Sequence, residues 1–202
     1  MQLQKLLIFG LLGIIYNSAM SQFSGGTGTI NDPYQITNAS ELNQIRNYLS
    51  ASFILLNDID LTYDTQDPGG LFYNGGEGWE PISSSSNTGF GGRLNGNGYK
   101  ITGVFIDRGP VNQDYVGFFG NIKSGEVRNL TLEDFSIMGN NFVGGMAGIS
   151  SGVIIDCAII NSTIDGNNSG GLVGDNNEGG ILRSKVVNVD VVGSFNQGGV
   201  AG

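Results

Sequence analysis

Closely spaced carboxylates offer the first chemistry to consider in this chain. Asp58 and Asp60 alternate within Asn57-Asp58-Ile59-Asp60, and Asp64 and Asp67 follow downstream. Carboxylates gathered beside a turn can hold Ca²⁺ through hard oxygen ligands, so Asp58, Asp60 and Asp64 are candidate calcium ligands. Neither an EF-hand loop nor the nonapeptide of calcium-binding β-rolls is present, and the alternative is that these groups cap turns and strand edges. Four aromatic residues, Tyr63, Phe72, Tyr73 and Trp79, share one stretch and could stack on sugar rings if exposed. The alternative makes Trp79, beside Pro81-Ile82, a plug of the interior. A third chemistry, glycoside cleavage, needs two carboxylates on one face at a set separation.

Composition removes other chemistries. There is no His, hence neither the commonest general base nor the commonest zinc ligand. Cys157 is the single cysteine, which excludes an intrachain disulfide and a Cys–His pair. Its column, described below, marks it as a small core or half-buried residue rather than a reactive thiol. The net charge is −9 and the basic residues are scattered, which argues against nucleic acid as a partner. Gly numbers 35 and Pro 4, while only 13% of residues are charged. Such a balance suits short strands joined by tight turns better than disorder.

These residues must be positioned by the elements around them. Asn38 followed by Glu41 makes a capping box, and Leu42, Ile45 and Leu49 recur at helical spacing. The pattern predicts a short helix at about 39–49, suited to covering the end of a stacked array. Phe53, Leu55, Ile59 and Leu61 then mark a first strand region, giving an N-terminal unit at 22–62. Residues 63–92 read as a long Gly/Ser-rich loop that carries Trp79.

Residues 93–202 hold an internal repeat. Segments 125–139, 152–166 and 179–193 align at an offset of 27 without gaps. The apolar columns are Val127/Ile154/Ile181, Leu132/Ile159/Val186 and Ile137/Ile164/Val191. Asp134, Asn161 and Asn188 share a polar column, and Cys157 aligns with Leu130 and Ser184. A weaker earlier copy is read at 101–106, at an offset of 26. Each copy closes in a Gly-rich block whose last residues are Gly120, Gly148, Gly174 and Gly202, spaced 28, 26 and 28 apart. Gly and Asn are expected to take positive φ at the bends. No copy can bury its apolar side alone, whereas stacked copies can. Asp134 aligns with two Asn residues, and Glu133 aligns with Ile160 and Val187, so no acidic pair repeats from copy to copy. No catalytic residue is assigned, and the chain is expected not to be an enzyme.

Residues 1–21 read as a signal peptide. Lys5 precedes the apolar run 6–15, and Ala19-Met20-Ser21 supplies a small-residue cleavage site. Ten apolar residues fall short of the roughly 20 that span a bilayer. The expectation is a secreted or surface-displayed chain with no membrane span after signal removal.

The Gly170-Gly-Leu-Val-Gly174 block resembles the GLUG-motif repeat family of secreted and surface proteins, mostly bacterial and including adhesins. Segments 28–36, 53–61, 79–82 and 90–101 resemble what often precedes such repeats. Phe118-Phe119 and Met146-Ala147 are looser versions of the motif. The resemblance implies an all-β fold, a right-handed parallel β-helix (a β-solenoid of pectin-lyase-like form), and no transferable catalytic motif. The expected function is a structural or adhesive module whose partners are glycans or surface proteins, with no cofactor beyond the Ca²⁺ considered above. The alternatives are a carbohydrate-binding or polysaccharide-cleaving β-helix, and the N-terminal fragment of a larger adhesin. Because Gly202 falls inside the array, its C-terminal end is expected to be covered by further sequence, by a partner or by self-association.

Overall fold

The computed structural model describes residues 22–109 and 113–202. The signal-peptide reading of 1–21 lies outside the described residues.

Alternating apolar residues at strand spacing produce a parallel β-solenoid. One wall is a six-stranded sheet of Tyr34–Ile36, Ser52–Leu55, Arg93–Asn95, Glu126–Arg128, Val153–Ile155 and Gly180–Leu182, in that order and parallel throughout. A second, seven-stranded sheet includes Thr131–Glu133, Ala158–Asp165 and Lys185–Val192. Two three-stranded sheets close the coil, one of them Phe119–Ile122, Ala147–Ser150 and Val173–Asn176. Parallel strands cannot be joined by tight hairpins, so each returns to its wall only after a full circuit.

The register follows the repeat. Val127 pairs with Ile154 and Ile154 with Ile181; Leu132, Ile159 and Val186 pair likewise, as do Ile137, Ile164 and Val191. Phe119, Ala147, Val173 and Ala201 form the fourth column. The inner members up to Val173 are fully or almost fully buried. Each such Val, Leu or Ile contributes about 1.5–3 kcal/mol by leaving water. In the last coil, Ile181, Val186 and Val189 are only half-buried.

Two expectations are corrected here. The copy at 101–106 does not stack at an offset of 26. Ile101 pairs with Leu132 and Ile106 with Ile137, both 31 residues apart. The Val127 column is already filled by Leu94, so the earlier coil must be longer. Residues 63–92 are also not one loop. A short helix, Thr62–Gln66, runs into this segment, which then rejoins the coil where Ile82 bridges Phe119 and Phe90 bridges Ile122.

At the repeat bends the expectation of positive φ holds for Asn but not for Gly. Asp134, Asn161 and Asn188 have φ of 56, 49 and 54°, and Asn129, Asp156 and Arg183 have φ of 52, 53 and 47°. Among the described residues after 112, no glycine has positive φ. The repeat glycines serve close approach instead. A Cβ on Gly148 would overlap the backbone of Tyr115, and one on Gly174 would overlap Phe142 and Val143.

The predicted helix is present but shorter, an α-helix at Ala39–Asn43 running into a 3₁₀ turn at Gln44–Asn47. The Asn38 side chain accepts from the Glu41 N–H at 2.9 Å. Glu41 reaches back to the Thr37 N–H at 2.7 Å, one residue before the expected partner. Leu42 and Ile45 are buried against the first coil.

Candidate functional site

The aromatic candidates separate into different roles. Trp79 has no exposed surface, and its ring stacks on Phe118 with centroids 5.4 Å apart and planes 6° from parallel. Phe72 meets it edge-on at 5.2 Å, and its indole N–H donates to the Phe118 carbonyl at 3.3 Å. Trp79 is therefore the interior plug and offers no face to a ligand. Phe72 and Tyr73 are half-buried, while Tyr63 is exposed and borders a separate hollow with Asp60 and Gln66. The four rings do not make one platform.

The calcium reading meets a similar correction. Asp58 accepts from the Lys100 N–H at 2.9 Å, and Asp64 accepts from the Leu71 N–H at 3.3 Å. Asp60 accepts from the Thr62 hydroxyl at 2.6 Å and the Thr62 N–H at 2.9 Å. Those two bonds hold the Asp60 carboxyl below its usual range. Among the described residues, no group of three or more His, Cys, Asp or Glu is arranged to hold a metal ion. The three carboxylates act as caps of turns and backbone N–H groups.

The polar column is a partial ladder. Asn188 Nδ2 donates to Asn161 Oδ1 at 2.8 Å. At the neighbouring bend Arg183 forms a two-pronged pair with Asp156, both contacts at 2.7 Å. Cys157 is buried, and burial pushes its thiol up to about 11. Its neighbour Ser184, in the same column one coil on, accepts the Cys157 N–H at 3.2 Å.

A feature not anticipated from sequence lies outside the Trp79 plug. Arg46, on the capping turn, and Arg108, after the strand Phe105–Asp107, converge on the segment 77–80. Arg46 donates through Nη2 to the Glu80 carbonyl at 2.8 Å and through Nε to Asn43 at 2.7 Å. Its guanidinium sits 5.4 Å from the Trp79 ring centre. Arg108 pairs with Glu77 and donates through Nη2 to the Trp79 carbonyl at 2.9 Å. Burial, with Arg108 nearby, lowers the Arg46 pKa against the opposing pull of Glu80. Arg108 is 8% exposed, and its Nε is buried without a partner among the described residues.

Two adjoining hollows open here, of about 440 and 220 Å³, and share Asn74 and Glu80. Arg108, Glu77 and Gln113 line one; Arg46, Leu71 and Phe72 line the other. Arg46 and Arg108 lie 62 positions apart in sequence and meet only because the coil returns. No motif spacing links them, although Trp79 and Phe72 mark the place.

Comparison with known proteins finds relatives that match part of the chain. It is 45% identical over 128 residues to a protein of Evansella cellulosilytica provisionally named a Gly-rich membrane protein, covering 62% of this chain and 14% of the other. It is 35% identical over 120 residues to Halomucin of Haloquadratum walsbyi, covering 57% of this chain and 1% of the other. The chain thus spans a small part of both relatives. A crystal structure from Bacteroides ovatus, provisionally named an immunoglobulin A1 protease, matches 90% of this chain and 87% of its own with a TM-score of 0.50. Identity there is 14%, so the likeness concerns the fold alone. No family model matches the chain. Among the described residues no helix is long and apolar enough to cross a membrane.

Proposed function

We propose that this chain is a surface-displayed β-solenoid of the GLUG-motif type that works by contact, as a structural or adhesive module, and not by catalysis. The observation that carries the reading is the division of labour between columns. Inward positions keep their apolar character from coil to coil, as in Leu132, Ile159 and Val186. Outward positions change freely, as in Ser136, Thr163 and Asp190, which are in register and all exposed. A rod of fixed cross-section with variable outer faces is a scaffold for presenting contacts. The names of the two relatives, one a membrane protein and one Halomucin, support a surface location.

The test immobilises the full chain on beads and measures retention of polysaccharides and bacterial cells, alongside release of reducing ends and of peptides. Retention without release is expected. Turnover of any polysaccharide or protein substrate would overturn the reading, as would failure to retain any ligand. Protease shaving of cells expressing the full chain tests location, and a chain wholly protected inside intact cells would refute surface display.

A further inference from the structure

We infer that the hollow between Arg46 and Arg108 is a binding site for a neutral, hydroxyl-rich saccharide. The inference rests on the contact reading above and gives it a place and a ligand class.

Three observations support it. The combined hollow falls within the roughly 300–1,000 Å³ of small-ligand clefts. Its lining joins an apolar patch, Leu71 at 67% exposure beside Phe72, to a dense set of planar polar groups. Those groups are the Arg46 and Arg108 guanidiniums, the Glu77 and Glu80 carboxylates, and Asn74. A sugar ring presents the complement, a C–H face and an edge of vicinal hydroxyls that both donate and accept. Asn74 already donates its amide to the Gly78 carbonyl at 2.7 Å, which fixes the group in place.

The third observation is the orphaned donor. Arg108 is buried beside the hollow, with Nη1 on Glu77 and Nη2 on the Trp79 carbonyl, while Nε has no acceptor among the described residues. A buried donor on a charged group is costly to leave unmet. A ligand oxygen that draws the Arg108 guanidinium toward the hollow would bring that Nε an acceptor and relieve the cost.

Charge selects a neutral ligand over an anionic one. Each arginine already faces a glutamate, Arg108 with Glu77 and Arg46 with Glu80. Both glutamate side chains are 63% exposed at the mouth. A carboxylate or sulfate on the ligand would meet them, and the chain's net charge of −9 repels polyanions at long range.

Trp79 is the sole tryptophan and lies beneath Arg46, so its fluorescence reports occupancy. The full chain is titrated with neutral gluco-, manno- and galacto-oligosaccharides, and with oligogalacturonate of matched length. A saturable change is expected with at least one neutral oligosaccharide. Leu71→Ala and Glu80→Gln, both at exposed positions, should each weaken it roughly tenfold or more at unchanged thermal midpoint. No saturable change with the neutral panel overturns the proposal. So does saturation by oligogalacturonate alone, or full binding by both variants. Bead retention that survives in both variants would leave the contact reading standing while this site falls.

Discussion

Trp79 lies flat on Phe118, ring centres 5.4 Å apart, and so joins the segment 77–82 to the core of the next coil. Phe118 in turn touches Phe119 and Phe135, and Phe119 touches Phe90. The stack makes Trp79 a structural member first. Replacing it with alanine removes a fully buried indole and leaves a cavity, a change of about 3–5 kcal/mol. Urea unfolding of Trp79→Ala, followed by far-UV circular dichroism, should show that loss. A loss below about 1 kcal/mol would mean the ring is not the plug.

The repeat was readable because its physics is one-dimensional. Val127, Ile154 and Ile181 stand at a constant offset, and stacking in register demands that. The earlier coils were harder, since Leu94 and Ile101 take the places of Val127 and Leu132 at offsets of 33 and 31, and no fixed period exposes them. Trp79 could be read as plug or platform because burial is a property of the closed coil. The Arg46–Arg108 hollow was invisible for a related reason. Its residues come from the cap, the segment 71–80 and a strand end, and only the coil's return unites them.

The repeat glycines separate space from conformation. Gly148 and Gly174 lack positive φ, yet a Cβ on either would strike backbone of the adjoining coil. Gly98 has φ +85° and open space around it. Gly148→Ala and Gly174→Ala should each destabilise by about 1–3 kcal/mol through overpacking. Gly98→Ala should cost about 1–2 kcal/mol through backbone strain alone. The two mechanisms part on shortening the repeat's contact: Tyr115→Ala leaves the clashing backbone in place and should not rescue Gly148→Ala. Rescue by Tyr115→Ala would show that the ring, not the backbone, is the obstacle.

Acid should act on the turn caps. The Asp60 and Asp156 carboxyls both titrate below their ordinary range in the folded chain, Asp60 through the Thr62 hydroxyl and N–H, Asp156 through Arg183. A depressed folded pKa gives stability that is complete above the unfolded value near 3.9 and is lost as pH falls through the lower folded value. Thermal midpoints should therefore hold to about pH 5 and decline below pH 4. In Thr62→Val the Asp60 carboxyl, followed by NMR, should titrate at higher pH than in the parent. An unchanged midpoint there would show that the Thr62 hydroxyl does not stabilise the carboxylate.

Cys157 gives the opposite sign. Its thiol is raised to about 11 by burial, against roughly 8.5 for an exposed cysteine. The folded chain binds that proton more tightly than the unfolded chain. The associated stability is thus present below about pH 8.5 and is lost progressively as pH rises toward 11. Sγ also donates to the Ile155 carbonyl at 3.3 Å and packs in the column between Leu130 and Ser184, so a reagent has no route to it in the closed coil. Labelling by a disulfide reagent at pH 8 should be slow in buffer and fast in denaturant, with the folded rate tracking the opening of the last coils. Val186→Ala, which loosens the column above Ile159, should speed that labelling without altering the rate in denaturant. Rapid stoichiometric labelling of the native chain would place the thiol at the surface and remove Cys157 from the core.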